Sequence, residues 1–214
     1  MMGMILKDLY TLARYSRFLL VYLLLFGVIF MGQEGAAFGS MVVVLVATLS
    51  ISTFSYDDQA GWDKYALSTP VSRKKVVLAK YLLSLLLVAL GAVLGLVLTF
   101  AAALLRGGAV AMEALVTLGA SALLGAVCIS VVIPFIYKFG TEKSRLIMML
   151  VYALPALGIA GLAHMLSQPQ VAAIARWFEA SAGALLVAVP LFCIAVICFS
   201  YILSVRIYQK KEIQ

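Results

Sequence analysis

The stretch VVLAKYLLSLLLVALGAVLGLVLTFAAALL, residues 76–105, decides the fold: it is 30 residues long and Lys80 is its only charged side chain. A helix crosses roughly 30 Å of hydrocarbon with about 20 apolar residues at 1.5 Å rise each. This segment is therefore a membrane span with length to spare, expected to emerge into water at its Lys80 end. The rest of the chain has the same character, since 65% of its 214 residues are apolar, 12% are charged and the mean hydropathy is +1.13. Such a composition excludes a soluble enzyme, a disordered chain and a disulfide scaffold.

Working outward from residues 76–105, five further apolar stretches run over Phe18–Gly32, Ala36–Tyr56, Ala114–Tyr137, Leu146–Leu166 and Ala182–Val205. The expected fold is an all-α integral membrane protein of six transmembrane helices forming one transmembrane domain over residues 1–214. Pro134, Pro155 and Pro190 fall inside spans and are candidate kinks. Lys and Arg fix the orientation: the segments before the first span, between the second and third, between the fourth and fifth, and after the sixth hold 14 of the 16 basic residues. By the positive-inside bias these segments, and with them both termini, lie in the cytoplasm. The formal net charge of +7 is thereby accounted for by topology and lipid headgroups, without nucleic acid.

Ile5, Leu6, Leu9, Leu12 and Ala13 share one helical face and Lys7, Asp8, Thr11 and Arg14 the other. This is an interfacial helix, acting either as a depth anchor or as a lever onto the first span. The amphipathic run favours a retained first span over a cleaved signal peptide, although Gly35-Ala36-Ala37 offers small residues of the kind found at cleavage sites. Cys128, Cys193 and Cys198 lie in apolar runs without metal-site or disulfide spacing. His164, near the outer end of the fifth span, is either a hydrogen-bonded structural residue or a proton relay. Arg106 and Glu113 flank the outer turn between the third and fourth spans, and an exposed pair there has little energetic value.

The connection Asp57-Asp58-Gln59-Ala60-Gly61-Trp62-Asp63-Lys64-Tyr65-Ala66-Leu67-Ser68-Thr69-Pro70 carries the most information about function. Trp62, Tyr65 and Ala66 lie at i, i+3 and i+4, Asp57 and Asp58 suit a helix N-terminus, and Pro70 ends the segment, which predicts a short amphipathic cytoplasmic helix. A helix so short does not persist alone in water, so its aromatic face rests on something. Trp62 and Tyr65 suit the headgroup layer, this protein's own surface, or a groove on a soluble partner. Ser72 then caps the third span, with Arg73, Lys74 and Lys75 placed against the macrodipole. Lipid phosphates or an acidic partner surface would account for those cations.

The run from Tyr65 to Tyr81, together with Asp57-Asp58 and Gly61-Trp62-Asp63, resembles the cytoplasmic connection of bacterial ABC-2-type permeases. Among these it is most similar to the small permeases of phenol-soluble modulin and related antimicrobial peptide exporters. Ile5-Leu6-Lys7-Asp8-Leu9-Tyr10 is similar to that family's N-terminal helix, and the six-span plan follows it along essentially the whole chain. The resemblance implies a subunit of the bacterial cell membrane that pairs with a second copy or a related permease. It also implies that cytoplasmic ABC ATPase subunits bind the pair and hold the ATP and Mg. On this motif match Asp57, Asp58, Gly61, Trp62, Asp63, Lys64, Tyr65, Leu67 and Pro70 form the ATPase-docking region, built around a coupling helix. It further suggests a short outer helix within Ser167–Glu179, with Val171, Ile174 and Phe178 on one face.

The chain has no G-x-x-x-x-G-K-[ST] loop for ATP phosphates and no H-E-x-x-H or G-x-S-x-G motif. ATP hydrolysis, and any enzyme activity of the complex, is thus expected on a partner. Two rivals come from other classes. A non-transporting scaffold or immunity protein that binds a peptide predicts no ATPase partner. An ion-coupled secondary carrier is disfavoured because no charged residue falls at the middle of a span and no internal repeat is visible. A path lined by apolar and small residues suits an amphipathic or lipid-like substrate, and the family resemblance implies export of amphipathic or antimicrobial peptides.

Overall fold

The computed structural model describes residues 2–14, 21, 25, 35–68, 71–105, 112–165, 169–170, 173, 176 and 180–210. Its elements are all α-helices: α1 Met2–Arg14, α2 Gly35–Gln59, α3 Trp62–Ser68, α4 Arg73–Leu105, α5 Met112–Met165 and α6 Ala182–Lys210. Among the described residues four helical segments are long and apolar enough to cross a membrane: Phe38–Gln59, Arg73–Leu105, Met112–Ser144 and Gly183–Lys210. They correspond to the second, third, fourth and sixth predicted stretches. The first stretch lies outside the described residues except for Val21 and Leu25, as do Arg106 and the face Val171, Ile174 and Phe178.

The fifth stretch begins differently from the expectation of a loop over 138–145. Helix α5 continues past Tyr137 and breaks only at Gly140, whose φ of 79° and ψ of 173° no side-chain-bearing residue readily adopts. A second limb, 141–165, follows at once. The helices run on through Pro134, Pro155 and Pro190, and within α5 the non-helical backbone is at Gly140. Neighbouring helices and local adjustment accommodate a proline in a span, whereas a φ in the left-handed half-plane ends the helical course outright.

Helix α2 packs on α4 and α5, and α6 packs on α5 and α4. The α2–α4 contact is made backbone to backbone. A Cβ on Gly95 would lie 2.6 Å from the Gly39 carbonyl oxygen, and one on Gly91 would lie 3.1 Å from the Val43 Cα. In lipid, where apolar burial does not drive helices together, such small-residue contacts and buried polar bonds hold them instead. The polar bonds sit one layer away. The Tyr81 hydroxyl meets Ser200 Oγ at 2.7 Å and Ser204 Oγ at 2.8 Å, and Ser200 donates to the Ser130 carbonyl, tying α4, α6 and α5 together.

Helix α1 lies against this bundle. Ile5, Leu9 and Leu12 pack on the cluster of Val42, Val46, Leu83 and Leu87, while Leu6 and Tyr10 are exposed. Part of the predicted apolar face is thus occupied by the protein itself, while the first span, onto which a lever would act, lies outside the described residues.

Candidate functional site: the charged end of the bundle

Lys80 sits two turns inside α4, within an otherwise apolar sequence, and is 6% exposed. The Lys80 side chain itself is turned into the protein, while Lys74 and Lys75 at the start of the same helix are exposed. Its ammonium donates to Asp8 Oδ2 at 2.9 Å and to Thr53 Oγ1 at 3.1 Å, and pairs with Asp57 Oδ2 at 2.6 Å. Lys7 completes the set, 2.9 Å from Asp8 Oδ1 and hydrogen-bonded to Asp57 Oδ1. Two lysines and two aspartates form a neutral quartet from α1, α2 and α4. Burial of any one charge is tolerable only because the others are there. Asp8, assigned to the polar face of α1, is 3% exposed, because that face too is turned to protein.

Asp57 and Asp58 do not start the short helix. Both lie in the last turn of α2, where the macrodipole opposes a carboxylate. Asp57 is held there by its two lysines. Asp58 accepts from the Thr141 backbone N–H at 3.3 Å and so stands at the N-terminus of the second limb of α5. The carboxylate does meet a helix start, though not that of the helix next in sequence.

After Gln59 the chain turns through Gly61, whose φ of 61° is left-handed, and α3 begins at Trp62. The Trp62 ring is half-buried and lies under the Lys7 ammonium, 4.0 Å from its centroid, a cation–π contact that binds α3 to α1. Tyr65 stands 5.2 Å from Trp62, ring to ring, and is 62% exposed, whereas Ala66 is buried. The predicted face is thereby divided: Ala66 and part of Trp62 turn back on the protein, and Tyr65 and Lys64 point away. Asp63 and Leu67 are in α3, with side chains outside the described residues, and Pro70 lies outside them as well.

Ser72 opens α4 as predicted, its carbonyl accepting from Lys75 N at 2.9 Å. Arg73 reaches across to the end of α6. It donates to the carbonyls of Tyr208 and Gln209 at 3.1 and 2.7 Å, capping the end of α6. Lys74 and Lys75 are exposed. Rings connect these groups: Phe54 lies 4.9 Å below the Lys80 ammonium and 5.6 Å from Tyr137, which lies 5.0 Å from the buried Tyr208. One contiguous set of contacts thus joins α1, α3 and the ends of α2, α4, α5 and α6.

Residue-type reasoning missed Lys80, Asp8, Lys7, Phe54, Tyr137 and Arg73 as members of this site. Lys80 carried a usable signal, because a lone cation two turns inside an apolar helix demands a counter-charge. His164 belongs to α5, with its side chain outside the described residues, and Glu113 is exposed at the start of α5. Among the described residues no group of His, Cys, Asp and Glu is placed to hold a metal.

The chain matches the family described as ABC-2 family transporter protein over residues 3–209, and it belongs to that family. It is an integral membrane protein and a permease component of an ABC transporter, a class that associates with ATPase subunits. No curated protein and no solved structure matches it.

Proposed function

We propose that this permease is one half of an ATP-driven exporter in a bacterial cell membrane, moving amphipathic or antimicrobial peptides outward. In this scheme α3 is the coupling helix and seats Tyr65 and Lys64 in a cleft of a separate ATPase subunit, which binds ATP and Mg. The permease works as one six-span domain paired with a second copy or a related permease, its termini on the ATPase side. The observation that carries the reading is the mounting of α3. A seven-residue helix is turned out of line with α2 at Gly61, resting on the protein through Ala66 and Trp62 and leaving Tyr65 and Lys64 exposed. It is wired through Trp62, Lys7 and the Asp57–Lys80 pair to the span ends.

A docked helix moves an equilibrium only by preferring one arrangement of the bundle. The charged end supplies a way to express that preference. A shift of α3 acts on Trp62 and Lys7, and these act on Asp57, whose neighbour Asp58 holds the start of the second limb of α5. Tyr65 adds anchorage, since a buried aromatic ring contributes a few kcal/mol at about 25 cal/mol per Å².

The test is Tyr65→Ala in the full-length chain, expressed in its native cell and purified with the ATPase subunit that accompanies the unaltered permease. Tyr65 is exposed, so the yield of folded permease stays at the wild-type level, while copurified ATPase falls at least about tenfold, as for a hot-spot truncation of ~2 kcal/mol. Undiminished copurification with normal peptide export overturns the docking role.

A further inference from the structure

On the outer side of the same end, a groove of about 450 Å³ runs between the first limb of α5 and the last turns of α6. Its floor is apolar, made by Pro134, Phe135, Leu203 and Ile207, and its rim carries Lys138 and Lys210. Both helices run toward this end, so the cations lie beyond the apolar residues along the bundle axis. Lys138 is one turn past Pro134, about 6 Å, and Lys210 two turns past Leu203, about 10 Å. Lys138 sits 5.1 Å from the Phe139 ring centroid. Among the described residues neither lysine has a carboxylate within ion-pair distance.

We infer that this groove is a binding site for an anionic phospholipid. The order of chemistry along it, hydrocarbon first and two cations at the end, is that of an acyl chain followed by a charged headgroup. Two ammonium groups with no carboxylate paired to them among the described residues favour a headgroup of net negative charge over a zwitterionic one, because a choline brings back the repulsion that the phosphate relieves. Basic recesses between spans at one membrane face have the form that headgroup binding requires. Tyr137 borders this groove and also the small recess formed with Phe54, Asp57, Trp62 and Lys80, so a bound lipid abuts the charged end itself.

The experiment is native mass spectrometry of the full-length chain titrated with phosphatidylglycerol, phosphatidylcholine or water-soluble glycerol phosphate. Phosphatidylglycerol is expected to be retained over the other two. Lys138→Gln with Lys210→Gln weakens that retention by roughly 25-fold, about fivefold for each basic residue. Leu203→Trp fills the groove, keeps both lysines and also lowers retention, which carries the test should the double variant not fold. Equal retention of phosphatidylcholine overturns the site, as does full retention by Leu203→Trp, which would place the headgroup on surface lysines alone. Efficient crosslinking between two copies through Leu203→Cys in lipid would give the groove to a second chain and likewise overturn it.

Discussion

Lys80 shows how one charge organises its surroundings. With Lys80→Ala, Asp8 and Asp57 are left facing one another, and the loss is about 3–5 kcal/mol, the range for breaking a buried ion pair from one side. A fall in the unfolding midpoint of the detergent-purified chain reads this directly. Lys80→Met combined with Asp8→Leu keeps the Lys7–Asp57 pair and recovers most of that loss, so the two changes are strongly non-additive. If the single and double variants unfold alike, the quartet is not a unit. Each member is visible in the sequence as a charge, but its partners are not. Asp8 and Lys80 are 72 positions apart, and helical periodicity informs only on residues a turn or two away. Periodicity therefore placed Asp8 on a solvated face, and the length of the apolar stretch placed Lys80 in water.

At the scale of elements, two glycines with positive φ do different work. Neither has a heavy atom within 4 Å of where a Cβ would stand, so any cost of substitution is in the backbone alone. Gly61 lies in the left-handed helical region, which asparagine visits readily, so Gly61→Asn is expected to leave stability and ATPase binding near wild type. Gly140 combines positive φ with an extended ψ, a region open essentially to glycine, so Gly140→Asn destabilises by about 1–3 kcal/mol in the same unfolding assay. Equal behaviour of the two variants would show that the break at 140 is not a backbone requirement. Apolar length made the long helices legible, while their ends were less so. Helix α2 runs on through Asp57 and Asp58 because lysines of α1 and α4 and the start of the second α5 limb satisfy the two carboxylates. Helix α3 accordingly starts at Trp62.

Over the whole molecule, four of the six predicted spans correspond to described helices of spanning length, and the limb 141–165 occupies the place of the fifth. The alternating distribution of lysine and arginine then makes a prediction about sidedness. Green fluorescent protein fused after residue 214 or before residue 1 is expected to fluoresce in cells, and alkaline phosphatase inserted between residues 106 and 111 to be active. A dark C-terminal fusion beside a bright N-terminal one would require an odd number of crossings and remove the six-span plan. The candidate site was legible as a segment, residues 57–70, because aromatic spacing and the family resemblance both fall on it. Its mounting was not, since Lys7, Lys80, Thr141 and Tyr208 reach it from helices distant in sequence.

The tie between α1 and α4 also sets an order of events during synthesis. Asp8 leaves the ribosome 72 residues ahead of the lysine that neutralises it, a delay of about 4 to 14 seconds at common elongation rates. Until then Asp8 has only Lys7 as a counter-charge, and α1 can rest on α2 alone. A nascent chain arrested before residue 80 would therefore keep α1 on α2 but lack the bond that clamps both to the rest of the bundle.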